Sequence, residues 1–471
     1  MTKDTIHERI EERRTELVSL TRTIWENPEL GLQETDSAGL LANTLAEEGF
    51  TVERGIGGMP TAFAASYGTG DPTIGILGEY DALPGLSQKV GAQREPVEVG
   101  APGHGCGHNL FGVGSLGAAI AIKEAIESGE IDGTIRYYGC PAEETLVGKV
   151  YMARSGVFDD LDAALTWHPS QVSAPWKARS LAMNSLEYTF TGQSAHAADS
   201  PESGRSALDA VELMNLGVEF MREHISEDAR IHYSITNGGG APNVVPAEAS
   251  VWYFVRASTR SGVDRITDWL DDIADGATLM SQTTVDRQFL TGCYDYIAND
   301  TLSDVLLSNM RELGEIPYTE ADREFAAELR DTLDEATIES RLSVLSEPVR
   351  SAARDQALYS EPMESFDEGT VLSGSTDVGD VSWITPVAQF WCASWPAGTP
   401  SHTWQAVAAN GDFAATSAVY AAKVLAGSAY DLFTTPSLIE TANEELRSTR
   451  PHEYESPLPE TAEPPMEMDV N

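Results

Sequence analysis

Residues 103–109 read GHGCGHN, which spaces His104, Cys106 and His108 two apart with a glycine in each gap. In an extended backbone, positions that differ by two project to one side. Glycines between them let the chain approach a bound object closely. Imidazoles and a thiolate on one side suit a borderline-soft divalent metal. The alternative is a buried thiol beside a capping histidine. A second group is acidic: Glu143 and Glu144 follow the apolar run TIRYYGC. Two adjacent carboxylates there cannot both be buried without partners. In a metal-dependent hydrolase one ligates a cation and its neighbour takes a proton from water, whose pKa the metal lowers to ~7. Alternatively, both cap the next helix, where carboxylates are also favoured. His168, at the end of the next apolar run, tips the balance toward metal.

These residues need a scaffold that brings strand ends together. From about 60 to 170, short apolar runs alternate with helical stretches. TIGILGEYDALPG (73–85) reads as a buried strand entering a turn that carries Asp81, and GVGSLGAAIAIKEAI (112–126) reads as a helix. This alternation predicts an α/β layer with a mostly parallel sheet. Ligands in such sheets gather outside the carboxyl ends of the strands. The GHGCGHN loop precedes a helix, so Cys106 and His108 should lie near its N-terminus, where a thiolate is favoured.

Near residue 180 the texture changes. SLEYTFTG, a long helix over 206–225, two strands, a helix over 263–280 and TTVDRQFL give the order β-α-β-β-α-β, that of a ferredoxin-like domain. We therefore expect a catalytic domain in two parts, 1–182 and 294–435. It is interrupted by an inserted domain at 183–293 and followed by an acidic tail at 436–471, loosely held after Arg450. Residues 319–368, rich in Asp, Glu and Ala, read as acidic helices or a lid.

Composition excludes several classes of function. The net charge is -44, with 74 acidic residues against 30 basic ones, of which only six are lysines. That argues against nucleic acid and against anionic membrane surfaces. Such a surface repels itself until salt screens it, to ~3 Å at 1 M, which suggests adaptation to high salt. The four cysteines, Cys106, Cys140, Cys293 and Cys392, show no disulfide spacing. The N-terminus lacks the apolar core of a secretory signal, and no membrane-spanning run is expected. These readings point to a cytoplasmic protein.

In order, GEYDALPG, GHGCGHN, PAEE, WHP, GQSAHAA, APNVVPAEASVWYFVRA, GSTDVGDVSW and GTPSHTW resemble the motifs of the M20 metallopeptidases. The likeness is strongest to their amidohydrolase branch, which hydrolyses aminobenzoyl-glutamate and indole-acetyl-amino acids, and it runs from roughly residue 5 to 430. It implies a phosphorylase/hydrolase-like catalytic domain with an inserted dimerisation domain. It further implies two divalent metals, Zn or Mn with Co as a third option, held by Cys106, His108, Glu144, His168 and His402. Glu143 would be the general base. The first histidine ligand of many family members is absent, since Glu79 and Tyr80 precede Asp81. His104 takes a structural role. His196 would reach a partner subunit's active site and polarise the scissile carbonyl, which implies a homodimer. Asn243 and Arg256 would contact substrate, Arg256 through its planar fork. Without the resemblance, His196 reads as a turn histidine and Arg256 as an edge-strand residue paired to a nearby acid. Ser375–Asp377 read as a loop that shapes the pocket.

The expected activity is hydrolysis of the amide between an acyl or aroyl group and an amino acid, a small-molecule substrate. Rival readings are a dipeptidase or carboxypeptidase on the same scaffold, a non-catalytic binder of such conjugates, and a thiol-nucleophile enzyme built on Cys106.

Overall fold

The run at 73–79 forms a strand buried along its whole length, because each of its faces meets an apolar layer. Ile74 and Ile76 enter one core and Leu77 enters another. The computed structural model describes residues 2–467. Its larger sheet has seven strands: β1 (Thr51–Arg54), β2 (Phe63–Thr69), β3 (Thr73–Glu79), β4 (Gly133–Cys140), β5 (Ala163–Ser170), β6 (Ala174–Trp176) and β11 (Val387–Ala393). Their spatial order is β1-β2-β4-β3-β5-β11-β6. The four central strands, β4, β3, β5 and β11, run parallel, while β1, β2 and β6 add antiparallel margins.

Helix His108–Glu127 packs across β3, β4 and β5 and against helix Ala415–Thr434. Among the described residues it is the one helix long and apolar enough to cross a membrane, but 83% of the relevant window is buried inside the protein. The absence of such a stretch was expected; core burial explains the apolar composition. The N-terminal segment forms two helices, Lys3–Glu12 and Arg14–Glu26, joined at Arg13.

The smaller sheet contains β7 (Ala182–Thr191), β8 (Arg230–Asn237), β9 (Glu248–Ala257) and β10 (Thr284–Cys293), in the order β10-β7-β9-β8 and antiparallel throughout. Helices Ala207–Met221 and Arg260–Ser281 cover one face, so β7 and β9 alternate apolar and polar residues. The helix starts are chemically marked. Ser206 accepts from Asp209 N and Thr259 from Gly262 N, caps that stabilise each helix by about 1 kcal/mol.

Two segments differ from a loose acidic periphery. The 319–368 stretch holds helices Glu320–Arg330, Glu335–Leu342 and Glu347–Asp355. The first packs Ala326 and Leu329 into the main core, while the apolar sides of the other two pack on Val172 and Ala397, next to β5 and the loop leading to His402. Within the acidic tail Pro436–Thr449 is a helix, and the stretch from Arg450 to Glu467, expected to be loose, straps onto the larger domain. Tyr454 donates to Asp380, and Tyr151 and Arg154 donate to the carbonyls of Glu463 and Ala462. Buried Leu458 anchors the strap to the second core. Its acidic composition hid these apolar anchors.

Candidate metal centre

β4, β3 and β5 are parallel neighbours, so their carboxyl ends open on one edge of the sheet. β3 ends at Glu79 and leads to Asp81. β4 leads to a tight turn containing Glu143 and Glu144. His168 lies near the end of β5. Left-handed residues Ala142 (φ 52°) and Leu146 (φ 58°) bracket the Glu143–Thr145 turn. Non-glycine residues in this region cost about 1–3 kcal/mol each and persist where their surroundings impose them. Here buried Glu34 supplies part of that constraint by accepting from Ala142 N at 2.7 Å.

Cys106 and His108 arrive where the loop after β3 enters a helix. Gly107, at φ 87°, turns the chain into helix His108–Glu127. A Cβ at Gly105 would lie 2.6 Å from the Leu86 side chain and 3.2 Å from the His402 Cα. The close approach allowed by these glycines is therefore to the protein itself. His402 N donates to Gly105 O at 2.9 Å, and His402 is itself left-handed at φ 60°.

These segments bring five side chains together. Cys106, His108 and His168 offer ligand atoms within 4.8 Å of one another, as do Cys106, Glu144 and His402. Cys106 belongs to both groups. Cys106 Sγ lies 3.4 Å from His168 Nε2, and Glu144 Oε2 lies 3.4 Å from His402 Nε2. His108 and His168 each have Nδ1 engaged. His108 Nδ1 donates to Asp81 Oδ1 at 2.7 Å, and His168 Nδ1 donates to Pro169 O at 2.7 Å. Their Nε2 atoms then face the cluster. Outer partners of this kind fix the tautomer and direction of metal-binding imidazoles.

The buried atoms of this cluster lack protein partners where a cation would sit. His108 Nε2, Glu144 Oε1 and Glu79 Oε2 are buried without a hydrogen bond. A polar atom in that state costs about 1–3 kcal/mol. Nitrogen, sulfur and carboxylate donors in this arrangement fit a divalent metal.

Electrostatics point the same way. Burial and the neighbouring acids Glu79 and Asp377 push the Glu143 carboxyl well above its ordinary range. Burial takes Glu144 up to about 8. Burial, with Glu144 beside it, also holds the Cys106 thiol well above its usual value. The expected helix-end thiolate is thus outweighed by desolvation, and without a cation Cys106 is a neutral thiol. Burial and the charge of His108 lower His168 to about 3, which keeps it neutral and able to donate a lone pair. His108 shifts the other way. Burial alone would lower it, but Asp81 and Cys106 together outweigh that and raise it.

The remaining sequence candidates lie elsewhere. GHGCGHN is not extended: residues 105 and 106 bend and His108 starts a helix, so the three side chains do not share one side. His104 is buried, with neither ring nitrogen bonded, and falls outside the ligand groups. His196 and Asn243 are exposed at one end of the small sheet, where Ala197 N donates to Asn243 O. His196 Nδ1 accepts from Ala198 N and Asp199 N. Among the described residues, Arg256 has no acidic partner. Its guanidinium lies over the Phe254 ring at 5.0 Å, and burial lowers its pKa. The expected edge-strand ion pair is absent because β8 covers that edge.

Sequence reasoning missed one buried network. Lys149 Nζ donates to Glu79 Oε1 and to Asp377 Oδ1, both at 2.6 Å, with all three side chains at or below 1% exposure. Its signal was a lysine, one of only six, inside the apolar run TLVGKVYM.

The chain is similar to known proteins over nearly its whole length. The family description "Peptidase dimerisation domain" matches residues 181–278. The chain is 42% identical to one of the subunits of the p-aminobenzoyl-glutamate hydrolase of Escherichia coli (strain K12), over 98% of each protein. It is 29% identical to the Xaa-Arg dipeptidase of Mus musculus, over 93% of this chain and 91% of that one. Its fold matches a dinuclear metal binding peptidase of the M20 family from Bacillus subtilis, with a TM-score of 0.55 and 16% identity over 90% of this chain and 99% of that one.

Proposed function

This chain belongs to the M20 peptidase family, and from that membership we propose that it is a metal-dependent amidohydrolase acting on N-acyl or N-aroyl amino acids, with aminobenzoyl-glutamate-like conjugates as the substrate class. One observation carries the reading. Five side chains from four segments converge in two ligand groups that share Cys106, with Glu143 beside His108.

Cys106, His108, Glu144, His168 and His402 would hold two divalent cations, Zn or Mn. Cations bound there would polarise the scissile carbonyl and acidify a water. The chain supplies the rest. Glu143 takes a proton from water and returns it to the leaving amine. Its raised affinity for protons, a result of burial, favours the first half of that transfer, uptake of the proton. Asp81 holds His108, and Pro169 O holds His168, in the tautomers the site needs.

The reading includes a homodimer built through the small sheet. His196, exposed on one protomer, would donate to the developing oxyanion in its partner, and Asn243 and Arg256 would contact the conjugate. The four free cysteines support a reducing, cytoplasmic setting, and the acidic surface supports a saline one.

The test is Glu143→Ala, assayed on aroyl-glutamates with metal content measured in parallel. Turnover should fall by roughly 10²–10⁴-fold with the metal retained. Loss of metal from this variant would overturn the division of labour between Glu143 and Glu144. A dipeptidase activity is the second reading, favoured by the 29% identity to the Xaa-Arg dipeptidase. Faster cleavage of Xaa-Arg dipeptides than of aroyl-glutamates would select it.

A further inference from the structure

Glu79 and Asp377 make an instructive pair, because both bind the same buried ammonium and only one of them is satisfied. Asp377 spends both oxygens on Lys149. Oδ1 takes the ammonium at 2.6 Å and Oδ2 takes the backbone N–H at 2.8 Å. Glu79 spends only Oε1 on Lys149, at 2.6 Å. Its Oε2 is buried with no hydrogen-bond partner and points at the cation cluster, 3.3 Å from His108 Nε2. Glu143 Oε2 lies 3.9 Å from the same nitrogen. Glu79, His108 and Glu143 together form a third group whose offered atoms lie within 4.8 Å of one another.

Building on the functional reading above, we propose that Glu79 is a sixth protein ligand of the cation site, with Lys149 as the residue that positions it. The distances support this. Donors at 2.0–2.1 Å from a tetrahedral cation sit about 3.3 Å from one another. The Glu79–His108 separation has that length, close to those of the Cys106–His168 and Glu144–His402 pairs. Without a cation, Glu79 Oε2 meets only His108 Nε2, with which it makes no hydrogen bond, and a buried carboxylate oxygen in that state is costly. Lys149 is itself held from both sides, so it fixes the Glu79 carboxylate with one oxygen committed and the other directed at the site. A lysine suits the task because its compact ammonium can serve two acids at once.

The experiment uses full-length protein stripped with chelator and titrated with Zn²⁺ and with Mn²⁺ by calorimetry. Absorption of the Co²⁺-loaded protein reports coordination. Glu79→Gln should weaken binding of at least one cation by about tenfold or more and change the Co²⁺ spectrum. Asp377→Asn, which loosens Lys149 but removes no ligand, should lose clearly less affinity than Glu79→Gln. Glu79→Asp keeps the charge toward Lys149 and withdraws the oxygen by one methylene. It should lose affinity as well, and it stands in if the glutamine variant fails to fold. Wild-type affinity and an unchanged Co²⁺ spectrum in folded Glu79 variants would overturn the assignment, as would equal losses in Glu79→Gln and Asp377→Asn. A wild-type chain that binds neither cation would instead overturn the functional reading on which it rests.

Discussion

His108 Nδ1 and Asp81 Oδ1 are 2.7 Å apart with both side chains fully buried, and this bond determines which ring nitrogen faces the candidate metal site. The other Asp81 oxygen accepts from Glu144 N at 2.9 Å. One carboxylate therefore orients two of the five candidate ligands. Asp81→Asn would set an amide N–H against one of those two donors. It should lower metal affinity by about 10–100-fold without removing a ligand, as read by calorimetry on chelator-stripped protein. Unchanged affinity would show that His108 and Glu144 are held by other contacts.

The His196 assignment predicts complementation. Glu143→Ala and His196→Ala should each be inactive alone. Mixed after subunit exchange, random pairing in a two-fold dimer restores about a quarter of the sites, because one site of each mixed dimer has both residues intact. Activity of the mixture no greater than that of the single variants would mean that His196 does not act across a dimer.

Asp380 offers a pH test away from the metal cluster. Burial pushes its carboxyl up to about 7 from an ordinary 3.8, although Tyr454 and Tyr294 N donate to it. The folded chain thus binds this proton more tightly than the unfolded chain. Its contribution is greatest below about 4 and is lost as pH rises through about 7. Asp380→Asn can keep both hydrogen bonds, because the tyrosine hydroxyl can turn to accept. The variant should melt higher than wild type at pH 8, and this advantage should disappear toward pH 4. A constant difference across that range would rule out titration of Asp380 as its cause.

The charge of -44 predicts a response to salt. Raising KCl from ~0.1 M to ~2 M shortens screening from about 10 Å to below 3 Å. This should raise the melting temperature and increase specific activity. Melting that falls over this range would remove the case for a saline habitat.

Much of the architecture was legible because it rests on local periodicity. The inserted β-α-β-β-α-β unit could be read from strands that alternate on one covered face, such as β9, and from a helix of matching period at 263–280. The buried strands of the central sheet showed as unbroken apolar runs. The strap after 450 was not legible, because Leu458 and Tyr454 are isolated anchors in acidic sequence and their value depends on a core built hundreds of residues earlier.

By itself, the sequence determined the ligand chemistry: a thiol, imidazoles and an acidic pair placed at strand ends, which suit a divalent metal whatever their final arrangement. Tertiary structure alone decided which of them meet. It assigned Cys106 to both ligand groups and left His104 outside them. It made Asp81 an orienting group, and it set Lys149 between Glu79 and Asp377. Residue type and spacing fix what an atom can bind, but only packing fixes its neighbours. In a dry site those neighbours decide whether a carboxylate is a ligand, a base or a brace.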